Sequence, residues 1–165
     1  AQAYGNDPRA ISAVREHVRI GIEEMLANGA PKKPGLDELL ALLSDKGVPC
    51  AVASASPRTL VEAHLRKGGV EAYFSAVIAG DDGLPSKPAP DVFLEAACRL
   101  HAAPANSLVL EDSPNGIRAA SAGGFLSVMV PDMIAPTPET RRFATRVCNS
   151  LLDVCDLIAK GELGR

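Results

Sequence analysis

From Leu36 onward the apolar residues switch between two spacings. Leu36, Leu39, Leu40 and Leu43 recur at the three- and four-residue intervals of one helix face, and Gly47 stops them. Cys50-Ala51-Val52-Ala53 is then a continuous apolar run of strand length. Ser54-Ala55-Ser56-Pro57-Arg58 turns into a second helix that ends at Gly68-Gly69, and residues 76–79 form a second strand running into Gly80-Asp81-Asp82-Gly83. A helix over residues 90–101 feeds a strand at Leu108-Val109-Leu110. A helix near 117–122, a strand at 126–130, a proline-rich connection and a helix over 151–160 follow, with Arg146-Val147-Cys148 as a short last strand. Helices alternating with strands predict an α/β fold: a parallel sheet covered by helices on both faces.

The first residues follow a different pattern. Asp7 and Pro8 are a helix start, Ile11, Val14, Val18, Ile22 and Met25 repeat at helical spacing, and Gly29 with Pro31-Lys32-Lys33-Pro34-Gly35 ends the run in a linker. One amphipathic helix cannot bury its stripe alone. The chain therefore divides into residues 1–33, a helical segment with its linker, and residues 34–165, the α/β core.

Composition narrows the partners. A net charge of −3 and the lack of a dense Lys/Arg block argue against nucleic acid. No apolar run approaches the roughly 18 residues of a membrane span, and no basic start with an apolar core marks a secretory signal. Cys50, Cys98, Cys148 and Cys155 lack CxxC spacing, so buried, reduced thiols are expected in a cytoplasmic, monomeric protein. His17, His64 and His101 have no acidic or cysteine partner nearby and read as surface or packing residues.

Three stretches carry candidate chemistry. Leu108-Val109-Leu110 runs straight into Glu111 and Asp112, then Ser113-Pro114-Asn115-Gly116. Two carboxylates at the C-terminal end of a buried strand repel each other, and a hard cation such as Mg²⁺ is a natural way to hold them. Ser54, with the amides of Ala55 and Ser56 ahead of a helix, offers an anion site, although a serine there is also an ordinary cap. In Ser86-Lys87-Pro88-Ala89-Pro90-Asp91, two prolines stiffen the loop that presents Lys87. A parallel sheet brings all three to one edge: hydroxyl and amides for phosphate oxygens, lysine for charge, carboxylates for Mg²⁺. The Asp81-Asp82 loop could add acids, or serve only as a turn. The absence of GxGxxG, P-loop and GxSxG elements removes the usual dinucleotide, NTPase and serine-hydrolase readings.

In order and spacing, residues 51–56, 86–91 and 110–116 resemble motifs two, three and four of the haloacid dehalogenase-like (HAD) phosphatases, in particular the β-phosphoglucomutase-like branch. The resemblance covers roughly residues 34–152. It implies a Rossmann-like core, a helical cap of which residues 1–33 are the tail, and a Mg²⁺-dependent phosphatase of small phosphorylated metabolites, sugar phosphates among them, working through a phospho-aspartyl intermediate. Carried over, Ser54 and Lys87 are catalytic: Ser54 binds the transferring phosphate and Lys87 neutralises it. Ala55, Ser56, Arg58 and Asn115 join them in binding phosphate or substrate, Asp112 binds Mg²⁺, and Glu111 is a direct or water-mediated ligand. Lys87→Ala is expected to remove most turnover with the fold intact. The family's first motif, DxDx(T/V), is not found in residues 1–28, and Asp7, followed by Pro8, is no nucleophile. The expectation is a nucleophile strand outside these residues, so the chain alone is inactive. The alternatives are a phosphosugar mutase using the same site, or a non-catalytic phosphate-binding or interaction module. If the nucleophile strand is absent, the strands ending at Ser54 and at Glu111 are expected to flank an open position. If the chain is non-catalytic, they are expected to pair directly.

Overall fold

The structure is a computed structural model that describes Ser12, Ala13, Glu16, Ile20, Gly21 and residues 31–163. Those five N-terminal residues are helical, and the rest of the expected cap helix lies outside the described residues. From the linker onward the order is α1 (Leu36–Asp45), β1 (Cys50–Ala53), α2 (Arg58–Lys67), β2 (Phe74–Ile78), α3 (Asp91–Arg99), β3 (Leu108–Glu111), α4 (Pro114–Ala122), β4 (Leu126–Met129), α5 (Pro138–Phe143), β5 (Arg146–Val147) and α6 (Leu151–Lys160). The α/β, Rossmann-like reading holds, with parallel strands and helices on both sides.

β3 shows how the sheet is buried on both faces, because alternate side chains of a strand point to opposite faces. Val109 joins a core with Ile78, Phe93, Ala97, Ala120 and Phe125, while Leu108 and Leu110 pack on the opposite cluster built around Leu39, Val128, Leu151 and Val154. α3 and α4 thus cover one face, and α1 and α6 the other. α6 begins at Ser150, whose hydroxyl accepts the Asp153 N–H while the Asp153 carboxylate accepts the Ser150 N–H, a reciprocal cap.

α5 falls where only a proline-rich connection is predicted. Six residues are too few to show a helical stripe, but Thr137 and Thr140 cap each other and Pro138 sits in the first turn. The cysteine expectation holds in part. All four thiols are free, but only Cys148 is buried and Cys98 is exposed. No helix among the described residues is long and apolar enough to cross a membrane.

The strands form two separate parallel groups, β1-β2 and β3-β4-β5. Ala51, Val52 and Ala53 lie in register with Ala76, Val77 and Ile78, and Leu108 to Glu111 with Leu126 to Met129. Among the described residues no ladder joins β1 to β3. Their open edges instead line one apolar cavity of about 450 Å³, with Ala51 and Ala53 on one side, Leu108 and Leu110 on the other, and Leu39 and Phe93 among the residues closing it. Buried backbone groups without partners cost roughly 1–3 kcal/mol each, so an open slot between parallel strands is a strong demand for another strand.

Candidate active site at the C-terminal strand ends

Lys87 ties the two strand groups together at the mouth of the slot. Its ammonium donates to the Ala53 carbonyl at the end of β1 (3.2 Å) and to Glu111 Oε1 at the end of β3 (2.5 Å). It also lies over the Phe93 ring, 4.7 Å from the centroid, where the face of the π-system favours a cation. An ammonium has three hydrogens, so one is left for a ligand. The loop that carries Lys87 turns back on itself through Ala89 N–H to Ser86 O, and Pro90 caps α3.

Glu111 is held by more than Lys87. Its other oxygen, Oε2, accepts the N–H groups of Asp112 and Ser113. Burial alone raises a carboxyl's pKa, but the Lys87 ammonium and the Ser113 N–H outweigh it here and hold Glu111 below the ordinary range. Gly116 makes room for this arrangement, since a Cβ there would sit 1.9 Å from Glu111 Oε1. The Ser-Pro-Asn-Gly stretch is thus more than a turn signal. Ser113 caps α4 by accepting the Gly116 N–H, Pro114 starts the helix, and Gly116 houses the carboxylate of the residue five positions earlier.

These contacts bear on two expectations. Glu111, expected as a direct or water-mediated Mg²⁺ ligand, is also the counter-charge of Lys87: Oε1 accepts from the ammonium and Oε2 from the Asp112 and Ser113 N–H groups. Because the side chains of that pair are only 15% and 7% exposed, Lys87→Ala would leave a buried carboxylate unpaired, so it does not leave the fold untouched.

Asp112 has the opposite situation. It lies exposed one residue beyond the strand, and among the described residues its carboxylate forms no ion pair. Burial and then the neighbouring Glu111 raise its pKa, against the pull of Lys33. A carboxylate raised by partial burial and by a negative neighbour, and still reached by solvent, fits a hard divalent cation. The described residues contain no group of three or more His, Cys, Asp or Glu that could hold a metal ion. Asp112 is the exposed carboxylate there, and Mg²⁺ is a cation that is held by one or two carboxylates and keeps several waters.

The Ser54 loop lies on the same mouth. Ser54, Ala55, Gly80, Ser86 and Lys87 line one small cavity of about 60 Å³. The Ser54 hydroxyl accepts the Ser56 N–H (3.1 Å), so its own proton is free to be donated to a ligand oxygen. Asn115, in the first turn of α4, is exposed and takes a long 3.4 Å contact from Arg118.

Arg58 departs from its expected role. Its guanidinium donates to both carboxylate oxygens of Asp82 (2.8 and 2.7 Å) and to the Val77 carbonyl, and its backbone N–H donates to Asp81 Oδ1 (2.9 Å). The hydrogen bonds with Arg58 and the Ala79 N–H hold Asp82 below the usual carboxylate range. Arg58 is therefore engaged with the loop after β2 and not presented to a phosphate, and Asp82 has both oxygens occupied by it. Sequence reasoning also passed over Phe93 beneath Lys87, whose apolar spacing marks only a core helix position.

Residues 2–124 match the family model of haloacid dehalogenase-like hydrolases, and the chain belongs to that family. It is 40% identical over 122 residues to the bifunctional riboflavin kinase/FMN phosphatase of Arabidopsis thaliana, a match covering 73% of this chain and 32% of the relative. With hexitol phosphatase B of Escherichia coli it shares 33% identity over 134 residues, 81% of this chain and 59% of that protein. Among solved structures, CbbY from Rhodobacter sphaeroides in complex with phosphate superposes with a TM-score of 0.74 at 29% identity, covering 86% of this chain and 65% of that one. The chain thus spans between about a third and three-fifths of the length of these two curated relatives.

Proposed function

We propose that this chain is the core of a Mg²⁺-dependent phosphatase of small phosphorylated metabolites, sugar phosphates among them, in which phosphate passes through an aspartyl intermediate. The observation that carries the reading is Lys87, whose ammonium bridges the ends of β1 and β3 across the open slot, lines one cavity with Ser54 and pairs with Glu111, the residue before Asp112. The nucleophilic aspartate is not among the described residues. In this reading it stands at the C-terminal end of a strand that fills the slot, within reach of the remaining Lys87 hydrogen. Ser54 donates its hydroxyl proton, and Lys87 its charge, to the phosphoryl oxygens. Glu111 keeps Lys87 charged and aimed. Asp112 would hold Mg²⁺, which when bound offsets the negative charge of phosphate and nucleophile. The open slot supports an enzyme core over a non-catalytic module, for which direct β1-β3 pairing is the expected arrangement.

Two relatives are named as phosphatases, of FMN and of hexitols, which supports a small-metabolite substrate. The test is phosphate release from hexose phosphates and from an aryl phosphate by the full-length protein, with Mg²⁺ and with chelator. Metal-dependent release that falls at least tenfold in Ser54→Ala and Lys87→Ala is the expected result. Isomerised sugar phosphate without free phosphate would establish a mutase instead, and no turnover with any phosphate monoester would overturn the proposal.

A further inference from the structure

The loop after β2 has no part in the reading above, yet it is bonded more extensively than a turn requires. Gly80 N–H donates to the Ser56 carbonyl (2.9 Å), and a Cβ on Gly80 would lie 2.1 Å from the Ala55 carbonyl oxygen, so the two loops are in backbone contact. Asp82 closes its own turn by accepting the Ala79 N–H (3.0 Å) and binds the Arg58 guanidinium with both oxygens. Asp81 accepts the Arg58 N–H, the first amide of α2.

We infer that Asp82, acting through Arg58 and Gly80, is the positioning residue of the Ser54 phosphate loop. The inference rests on the reading of Ser54 as a phosphate-binding group. The loop is pinned at three points: Ser54 N–H to the Ile78 carbonyl, the Ser56 carbonyl by Gly80, and Arg58 by both acids. Among the described residues, nothing accepts from the Ser54 hydroxyl or the Ala55 N–H. Asp81 occupies the first helix amide, one of those that would otherwise compete for an anion, which favours the two donors just before the helix. Asp82 locks the arginine that anchors this geometry. The consequence for binding is preorganisation: the donors need no ordering when phosphate arrives.

The test is inorganic phosphate binding to the full-length protein, measured by calorimetry, in a cycle of Ser54→Ala, Asp82→Asn and the double variant. Asp82→Asn is expected to weaken phosphate about tenfold, the lower end of what outer-shell support contributes at ligand sites. In the Ser54→Ala background it should add little, because the group it positions is gone. A merely structural Asp82 lowers affinity equally in both backgrounds, and that result overturns the inference while leaving the site intact. No phosphate binding by the unaltered full-length protein, or none lost in Ser54→Ala, overturns the site reading and the inference with it. Should Asp82→Asn fail to fold, Arg58→Gln removes the same ion pair but keeps the Asp82 bond to Ala79, and the same non-additivity decides.

Discussion

The chain has two adjacent acidic pairs beyond the C-terminal end of a strand, Asp81-Asp82 after β2 and Glu111-Asp112 at the end of β3, each with glycine close by. As sequence they look alike. In the structure each pair gives one acid to a cation 24 residues earlier, Asp82 to Arg58 and Glu111 to Lys87. They differ in the acid left over. Asp81 accepts the first N–H of α2 through Oδ1, whereas the Asp112 carboxylate stays exposed beside a negative neighbour and caps no helix. An acidic pair becomes a candidate metal site only when the surrounding chain leaves one member unsatisfied.

Burial separates the two cations most sharply. Lys87 and Glu111 are nearly out of solvent, but the Arg58 and Asp82 side chains are 35% and 20% exposed. Removing one partner of a buried pair costs roughly 3–5 kcal/mol, and an ion pair more open to solvent contributes less. Urea unfolding is therefore expected to show a loss in that range for Lys87→Ala and a smaller one for Arg58→Ala. Equal losses would abolish the contrast.

Gly116 sharpens it further. Alanine there must displace the Glu111 carboxylate, and overpacking of this kind costs roughly 1–3 kcal/mol. The same change at Gly83 meets nothing within 4 Å, although its positive φ of 79° adds backbone strain. Melting of Gly116→Ala should be lower than that of the parent and should not fall further when Glu111→Gln is added, since the displaced charge is then gone.

For metal binding the expected order is Asp112 first, then Glu111, then Asp81 and Asp82. In the full-length protein, Asp112→Asn should weaken Mg²⁺ at least tenfold, about 1.4 kcal/mol, whereas Asp81→Asn and Asp82→Asn change it little. Mg²⁺ titration showing all four alike would remove the distinction between the acidic pairs.

These pairings also mark what a sequence can show. The helix and strand order is legible because apolar spacing is local: Cys50–Ala53 and Leu151–Lys160 fall where the pattern puts them. Ser54, Lys87 and Asp112 are legible because strand ends in a parallel sheet share one edge. The partner of each acid is not, since Lys87 reaches Glu111 only after two strands, a helix and their loops have folded. Arg58, one residue past the phosphate loop, reads as a phosphate ligand until Asp82 is seen to hold it. Gly116 reads as a turn until a carboxylate is found beneath it.

The smallest expected effect is in the acid limb of stability, and its sign distinguishes members of one pair. Glu111 is held below its ordinary value of 4.5, so above that pH it contributes stability, which is lost as pH falls through its folded pKa. Asp112 is raised above 3.8, so between that value and its folded pKa the folded chain binds the extra proton, and stability rises as pH falls. The two slopes oppose each other, and because the carboxylates interact they titrate as a unit. Asp112→Asn removes the opposing term and relieves Glu111 of a negative neighbour. Unfolding free energy measured from pH 6 to pH 3 should then fall more steeply than in the parent. Glu111→Gln should make it shallower, with part of the change cancelled because Asp112 loses the charge that raised it. Asp82, lowered by Arg58 and the Ala79 N–H, has the sign of Glu111 but lies in solvent, so Asp82→Asn should flatten the curve least. A shallower curve in Asp112→Asn would mean that its carboxylate is stabilised by a cationic partner in the folded chain and is not available to a metal.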